Sequence, residues 1–309
     1  MALSEMARVH HFYLGSLDKA VALLRKAKAI SAEVGPREQC FVFGDLGNVL
    51  CTLRKNRKGR KYLKRAVAIS RSLPKDDNNP TGHIFALIAM DLVAVKPAKA
   101  ICKIDKAIKV QPPRAHSTYL HIKATAQMLM GQLTEAWETL QTCLALAEEF
   151  QDDSGRLSAL VSTGRVELRL GNYHNALTSA LKAEQVAQRM ENGGKLCEAL
   201  LLQAEAHEGI NAFSSEVVTS LQRAREAIVK MDDRRALQLV RGKLAWAYLL
   251  RGRAAVVVDM LEKKASTPSS NPSTGPEEEE DDWQTLTALG TAYSQQRRHD
   301  KALDCMLRA

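Results

Sequence analysis

The chain has 309 residues, of which 45% are apolar, 5% aromatic and 26% charged, and its formal net charge is +9. Aromatic residues are scarce while Ala and Leu are plentiful, which suits packed helices and argues against a β-sandwich, whose strands favour aromatic and β-branched residues. The positive charge is compatible with anionic partners or simply with solubility, and it says nothing about the fold.

The cysteines and the apolar runs bear on where the protein resides. None of the six cysteines has C-x-x-C spacing, and most lie in apolar segments, which is typical of small buried side chains in a reducing compartment. The first residues have no long apolar core, and the longest apolar run, residues 84–95, is interrupted by Asp91. We therefore expect a cytoplasmic protein without membrane insertion, or a nuclear one if the basic cluster described below acts as an import signal.

One pattern recurs along nearly the whole chain, and it is the pattern of two successive helices. A small residue in the first helix is followed by an apolar residue three positions later and then by a turn. The second helix has a small residue, a large apolar residue four later and another small one three after that. The pattern is clearest at residues 289–309, with Gly290 and Tyr293 before the turn and Ala302 and Met306 after it.

Eight such units can be placed in chain order. The third is weaker and closes with Pro112-Pro113, and the turn of the sixth is one residue long, which makes its register the least defined. The fourth, fifth and seventh turn at Gly131, Gly171 and Gly252. Their mean separation is about 40 residues, measured between the residues that begin the packing face of each second helix. These anchor residues are Ala20, Gly59, Ala100, Ala136, Ala176, Val217, Val257 and Ala302.

The units divide the sequence into three parts. Residues 1–264 hold repeats one to seven, residues 265–282 read ASTPSSNPSTGPEEEEDD, and residues 283–309 hold the eighth repeat. We expect the middle part to be a flexible loop, either a tolerated surface insertion or a regulatory segment. The eighth repeat is truncated, without a capping helix, so we expect either a longer protein or an exposed end that serves as an interface, for example in self-association.

The two-helix pattern resembles the tetratricopeptide repeat (TPR), whose unit is about 34 residues long. The longer units here are similar to those of kinesin light chains and of Leu-Gly-Asn repeat adaptors. The resemblance implies an all-α fold, a right-handed α-solenoid of about eight antiparallel helix pairs. It also implies that the first helix of each pair lines a concave groove that holds an extended peptide or a helix of a partner.

Carrying the family's groove positions over to this sequence gives a set of partner-groove candidates. They are Phe12, Tyr13, Phe41, Asn48, His121, Thr125, Arg165, Arg169, Trp246 and Gln295. Arg165 and Arg169 are one helical turn apart and would present two guanidinium groups to a carboxylate or phosphate, unless they are a solvated pair near acids such as Glu167. Trp246 either anchors a ligand side chain or packs within its repeat.

One well-known binding mode of this class is disfavoured. Co-chaperones with these repeats hold a C-terminal carboxylate through a Lys and an Asn one turn apart. Asn48 matches the Asn, but Gly44 stands where the Lys is required. This departure argues against a carboxylate-clamp co-chaperone.

The strongest charge feature is the stretch RKNRKGRKYLKR at residues 54–65, which crosses the turn of the second unit into its second helix. Its basic residues are Arg54, Lys55, Arg57, Lys58, Arg60, Lys61, Lys64 and Arg65. Such clusters occur in nuclear-import signals and nucleic-acid-binding surfaces. However, Tyr62, Leu63 and Ala66 keep the packing face of the repeat, and stacking aromatic residues do not alternate with the charges, so peptide binding is favoured over nucleic-acid binding.

No catalytic constellation is present in the sequence. There is no H-E-x-x-H, no G-x-G-x-x-G after a strand and no phosphate-loop motif, and Gly193-Gly194-Lys195 has the wrong spacing for one. Adjacent His10 and His11 face different directions on a helix, so they are poorly placed for joint metal ligation. We therefore expect no enzymatic activity, no metal site and no cofactor.

These observations predict a scaffold or adaptor that binds a peptide or helix of a partner protein in a concave groove. The alternative is a nuclear or RNA-associated scaffold that uses the basic cluster at residues 54–65.

Overall fold

The structure is a computed structural model that describes residues 2–12, 17–74, 79–229, 231, 234–262 and 283–309. The chain divides into two compact units, Met1–Leu170 and Gly171–Ala309. Residues 265–282 lie outside the described residues, so the loop expected there and the three-part division of the chain stay predictions.

The first unit is a succession of α-helices. Its helices are α1 (Ala2–Phe12), α2 (Leu17–Val34), α3 (Pro36–Thr52), α4 (Asn56–Ser72), α5 (Thr81–Leu92), α6 (Pro97–Ile108), α7 (His116–Leu129), α8 (Leu133–Glu149) and α9 (Asp153–Arg169), with a 3-10 helix at Pro113–Ala115. Each α-helix packs against the next, and the odd-numbered helices also contact one another in order along the unit. The first helices of successive pairs therefore lie side by side.

The second unit is built in the same way. Its helices are α10 (Tyr173–Arg189), α11 (Gly193–Ile210), α12 (Ser215–Val229), α13 (Arg234–Leu250), α14 (Ala254–Glu262), α15 (Trp283–Gln295) and α16 (His299–Arg308). Consecutive helices pack together, and α13 also contacts α15. The described residues contain no strand, and the predicted all-α fold of helix pairs is confirmed. None of the described helices combines the length and the apolar character needed to cross a membrane.

The helix bounds agree with the predicted register of the repeat. Each anchor residue from Ala20 to Ala302 occupies the fourth position of a second helix, except Val217, which is third in α12. All of the anchors are buried. Spacing that could be read from the sequence therefore identifies the residues at which helices meet.

Close helix crossings require these small residues. A Cβ atom placed on Gly59 would lie 2.7 Å from the carbonyl oxygen of Gly47 and 3.0 Å from the amide nitrogen of Cys51. Interiors are already close-packed, so a side chain on Gly59 would force α3 and α4 apart. Gly290 packs similarly against α16, where an added Cβ would lie 3.3 Å from the carbonyl oxygen of Ala302.

Buried polar contacts supplement the apolar packing. Glu184 of α10 is buried and accepts hydrogen bonds from Gln203 of α11, 2.6 Å away, and from Arg223 of α12. In the first unit, Asp45 of α3 lies 3.0 Å from the guanidinium of Arg8 and 3.5 Å from the imidazole of His83. A buried carboxylate is tolerated only with such partners, so these contacts link helices of successive pairs.

Most of the cysteines are the buried small side chains that the sequence predicts. Cys40, Cys143, Cys197 and Cys305 are buried, Cys51 is partly buried and Cys102 is exposed. Burial raises the pKa of the Cys40 and Cys143 thiols to about 12. Burial, followed by the neighbouring carboxylate of Asp91, raises the pKa of the Cys51 thiol to about 12 as well.

Replacing Gly59 with Ala should destabilise the protein, although Ala is the better helix former by about 1 kcal/mol. The added methyl group meets backbone atoms of α3, and overpacking of this kind costs about 1–3 kcal/mol. The melting temperature followed by circular dichroism should fall. The matched control is Gly194→Ala in α11, where the nearest atom to the added Cβ is 3.4 Å away. If both variants melt alike, the crossing at Gly59 is not as tight as the structure shows.

Thiol titration should separate Cys102 from the other cysteines. At about pH 8, a thiol whose pKa is raised to about 12 stays protonated, and the protonated form is a poor nucleophile. A disulfide reagent should therefore react rapidly with Cys102 and slowly with the buried thiols. Cys102→Ser should remove the fast phase, whereas Cys143→Ser should preserve it. A fast phase that persists in Cys102→Ser would contradict the observed burial.

Candidate functional site

Apart from Tyr13, the predicted groove positions lie on the odd-numbered helices, and the structure gives them different environments. Tyr13 lies outside the described residues, as does the side chain of Phe12. Phe41 is half-buried, with its ring centroid 5.7 Å from that of His83 on the neighbouring α5. Asn48 is only 5% exposed, so its side chain offers a partner little surface.

The facing sides of α7 and α9 bring several predicted residues together. The His121 Nε2 atom lies 2.9 Å from the Ser162 hydroxyl, and the Thr125 hydroxyl donates to the His121 carbonyl oxygen. Arg169 donates through Nη1 to the carbonyl oxygen of Met128, 2.8 Å away, near the end of α7. Arg165 is exposed one turn earlier in α9. Arg169 thus supports a helix end, where backbone carbonyls lack helical partners.

The second unit contains a well-formed concavity that we call the tryptophan groove. It lies among α11, α12, α13 and α15 and has a volume of about 450 Å³. Its lining residues are Ala204, Glu205, Glu208, Ala212, Val217, Leu221, Leu239, Lys243, Trp246, Ala247, Leu250 and Trp283. The predicted residue Trp246 is part of it. Gln295 is exposed at the end of α15 and does not line it.

The tryptophan groove combines a packed floor with exposed apolar walls. Val217 and Leu221 are buried beneath it, whereas Trp246 is 38% exposed and Trp283 is 61% exposed. Large aromatic side chains that remain partly exposed above a packed floor are the type of residue that anchors a binding partner. Trp246 therefore presents surface to the groove rather than being fully buried within its repeat.

The charges of the tryptophan groove are predominantly acidic. Glu205 of α11 pairs with Lys243 of α13, with 2.9 Å between the carboxylate oxygen and Nζ. Glu208 is exposed one turn further along α11, and no described cation lies within ion-pairing distance of it. The groove therefore has one carboxylate in excess.

Sequence reasoning missed Glu205, Glu208, Lys243 and Trp283. The repeat pattern could have identified Glu205, because it directly follows the small residue Ala204 of its first helix. This is the repeat position that Trp246 occupies after Ala245. Trp283 had no such signal, because it stands at the start of α15 and reaches the groove only through the packing of α15 on α13.

The predicted basic cluster is fully displayed on the surface. The side chains of Arg54, Lys55, Arg57, Lys58, Arg60, Lys61, Lys64 and Arg65 are all exposed, while Leu63 and Ala66 on the opposite side of α4 are buried. Arg60 pairs with Asp91 at 2.9 Å, and the Arg65 guanidinium lies 5.2 Å from the centroid of the Phe43 ring. The cluster is thus the charged outer face of an ordinary packed helix.

Among the residues that the structure describes, no group of three or more His, Cys, Asp or Glu side chains could hold a metal ion. Gly193-Gly194-Lys195 lies at the start of α11, where the Asn192 side chain accepts a hydrogen bond from the Lys195 amide at 3.0 Å. This segment is a helix cap joining two helices.

Comparison with solved structures identifies the class of fold. No protein-family model matches the chain, and no curated protein matches its sequence. A signal-transduction ATPase with numerous domains from Pyrococcus horikoshii, which has a tetratricopeptide repeat sensor, superposes with a TM-score of 0.70 at 13% identity. The fold is tetratricopeptide-repeat-like.

Other TPR-like structures agree with this assignment. A Rap protein complexed with Competence and Sporulation Factor has a TM-score of 0.64 at 12% identity, over 99% of this chain and 82% of that one. TPR-like repeats of the kinesin light chain type from Podosopora anserina have a TM-score of 0.51 at 17% identity, over 64% and 94% of the two chains. The match to the ATPase covers 99% of this chain but only 45% of that protein. The predicted TPR-like solenoid class is confirmed.

Proposed function

We propose that this TPR-like protein is a non-enzymatic interaction adaptor that binds a segment of a partner protein in the tryptophan groove. The observation that supports it most directly is the pair of exposed tryptophans, Trp246 and Trp283, over a floor of buried apolar residues. The exposed walls of the groove come from the first helices α11, α13 and α15, and in proteins that the repeat resembles the first helices line the partner groove, which supports the proposal. A Rap protein of similar fold has been solved with Competence and Sporulation Factor, which supports a binding role through the fold alone.

The chemistry of the groove indicates what its occupant should contain. Trp246, Leu250 and Leu239 offer apolar surface for a large apolar side chain. The exposed carboxylate of Glu208 favours a Lys or Arg of the partner nearby. We expect the occupant to be a peptide or helix in which a large apolar residue lies close to a basic residue.

The predicted positions in the first unit are secondary candidates for partner contact. The described groove positions there with exposed or half-buried side chains are Phe41, His121, Thr125, Arg165 and Arg169. They belong to the proposal as further contact points, and the tryptophan groove does not depend on them.

The proposal can be tested by selecting peptides from a random displayed library on the full chain and measuring the affinity of the enriched sequences. Enriched peptides should combine a large apolar residue with Lys or Arg. Truncating a central aromatic anchor costs about 2 kcal/mol, so Trp246→Ala should weaken binding about 30-fold. Glu208→Lys should weaken it as well, because it places a positive charge opposite the peptide's own.

The three tryptophans of the chain provide a matched control. Trp137 of α8 is 39% exposed, about as much as Trp246, but it lies outside the groove. Trp137→Ala should leave the affinity unchanged, and the shift of intrinsic fluorescence on binding should survive in it. Enrichment of acidic peptides, or peptides that bind Trp246→Ala as tightly as the unaltered protein, would reject the groove as the binding site.

A further inference from the structure

A second concavity lies on the opposite class of helix, in the first unit. Two successive second helices, α4 and α6, both pack on α5, and the space between them forms a cleft of about 430 Å³. We call this the basic cleft. It includes part of the cluster at residues 54–65, but most of its surface comes from elsewhere in the chain.

The floor of the basic cleft is apolar and accessible. Leu63 lies buried at its base, while Val67 of α4 and Ile88 and Leu92 of α5 are half-buried and line it. Ala68 is exposed along the α4 wall. A floor of this kind can bury apolar side chains of a ligand, which is the main source of affinity at most binding surfaces.

The rim of the basic cleft is strongly cationic. Arg60, Lys64, Arg71 and Lys103 surround it, and Asp91 is its one carboxylate. Asp91 is already paired with Arg60 at 2.9 Å. No described carboxylate lies within ion-pairing distance of Lys64 or Arg71, so no carboxylate of the described residues competes with an anionic ligand for these two cations.

The spacing of the cations indicates the size of the ligand. Arg60, Lys64 and Arg71 lie along one side of α4, and the 11 helical steps from residue 60 to residue 71 correspond to about 16 Å. A single carboxylate or phosphate would meet only one end of this row. A row of acidic groups spaced over about three helical turns would meet all of it.

We propose that the basic cleft is a second docking site, which binds an acidic amphipathic segment of a partner protein. Apolar side chains of the segment pack on Val67, Ile88 and Leu92, and its carboxylates pair with Lys64, Arg71 and Lys103. This site and its ligand chemistry are independent of the tryptophan groove, whose excess charge has the opposite sign.

Two features favour such a segment over nucleic acid. None of the side chains that line the cleft in the described structure is aromatic, so there is no platform on which bases could stack. The cations instead surround an apolar floor, which a phosphate backbone would not use. The cluster 54–65 is basic beyond the cleft as well, but a line of exposed charges alone binds polyanions without selecting an amphipathic ligand.

The test uses the full chain and a labelled synthetic helical peptide of about 18 residues, with Leu and Glu arranged on adjoining faces at i, i+3 and i+4 spacing. Binding is followed by fluorescence anisotropy. Lys64→Glu/Arg71→Glu should weaken binding at least about tenfold, because the peptide carboxylates would meet like charges. Arg57→Glu/Lys58→Glu makes the same change in net charge on the same helix outside the cleft. It should change the affinity less than about threefold at about 0.15 M salt, where exposed charges are screened beyond about 8 Å.

Two further comparisons test the apolar floor. A peptide of the same composition, shuffled so that no apolar face forms, should bind at least about tenfold more weakly. Ala68→Trp should also abolish most of the binding, because it fills the cleft without altering charge. If Lys64→Glu/Arg71→Glu melts at a lower temperature than the unaltered protein, Ala68→Trp serves as the test variant in its place.

The outcomes that overturn the proposal are equally specific. Equal binding of the shuffled peptide would show that charge alone is recognised. The surface would be assigned to nucleic acid if a single-stranded uridine oligonucleotide bound more tightly than the peptide. Its binding should then fall steeply with salt, and Arg57→Glu/Lys58→Glu should weaken it as much as the cleft variant does. Absence of binding by the amphipathic peptide would remove the site altogether.

Discussion

The close approach of the two helices in a pair is the constraint on which the rest of this structure depends. At the crossing of α3 and α4, backbone atoms of Gly47 and Gly59 are so near that even a methyl group would not fit. Small residues therefore fix where helices cross, and large buried residues one turn away, such as Leu63 and Leu140, fill the remaining volume. Stability then comes from stacking successive pairs, because one pair alone buries too little apolar surface.

This way of building a core leaves the outer faces of the helices free to differ in chemistry. In the second unit, the first helices present tryptophan and leucine side chains together with more carboxylates than cations, as at Trp246 and Glu208. In the first unit, the second helices border an apolar floor with more cations than carboxylates, as at Lys64 and Arg71. The same repeat framework thus supports two surfaces that select ligands of opposite charge.

Several polar side chains near these faces form contacts within the protein, and a sequence pattern does not distinguish them from side chains that bind a partner. Arg169 matches a groove position of the family, yet its guanidinium donates to the Met128 carbonyl oxygen at 2.8 Å. Asn48 matches another, yet it is 5% exposed. Buried carboxylates such as Glu184 and Asp45 have no signature in the sequence at all, and their partners come from neighbouring helices. Such contacts depend on distances between helices rather than on spacing along one of them.

The sequence by itself determined the helix pairs and their register, because helical periodicity is a local property that relates residues three and four positions apart. Anchors such as Ala136 and Ala176 could therefore be placed correctly without coordinates. It also showed that residues 54–65 are basic, and it singled out Trp246. Only the tertiary structure decided which side chains meet. Trp283 joins Glu205 in one groove, and Lys103 joins Lys64 around one cleft, because helices distant in the chain pack at a particular distance. The distance between helices is set by the small residues at the crossings and by the turns between helices. Side chains from separate helices can form a site only when that distance is fixed.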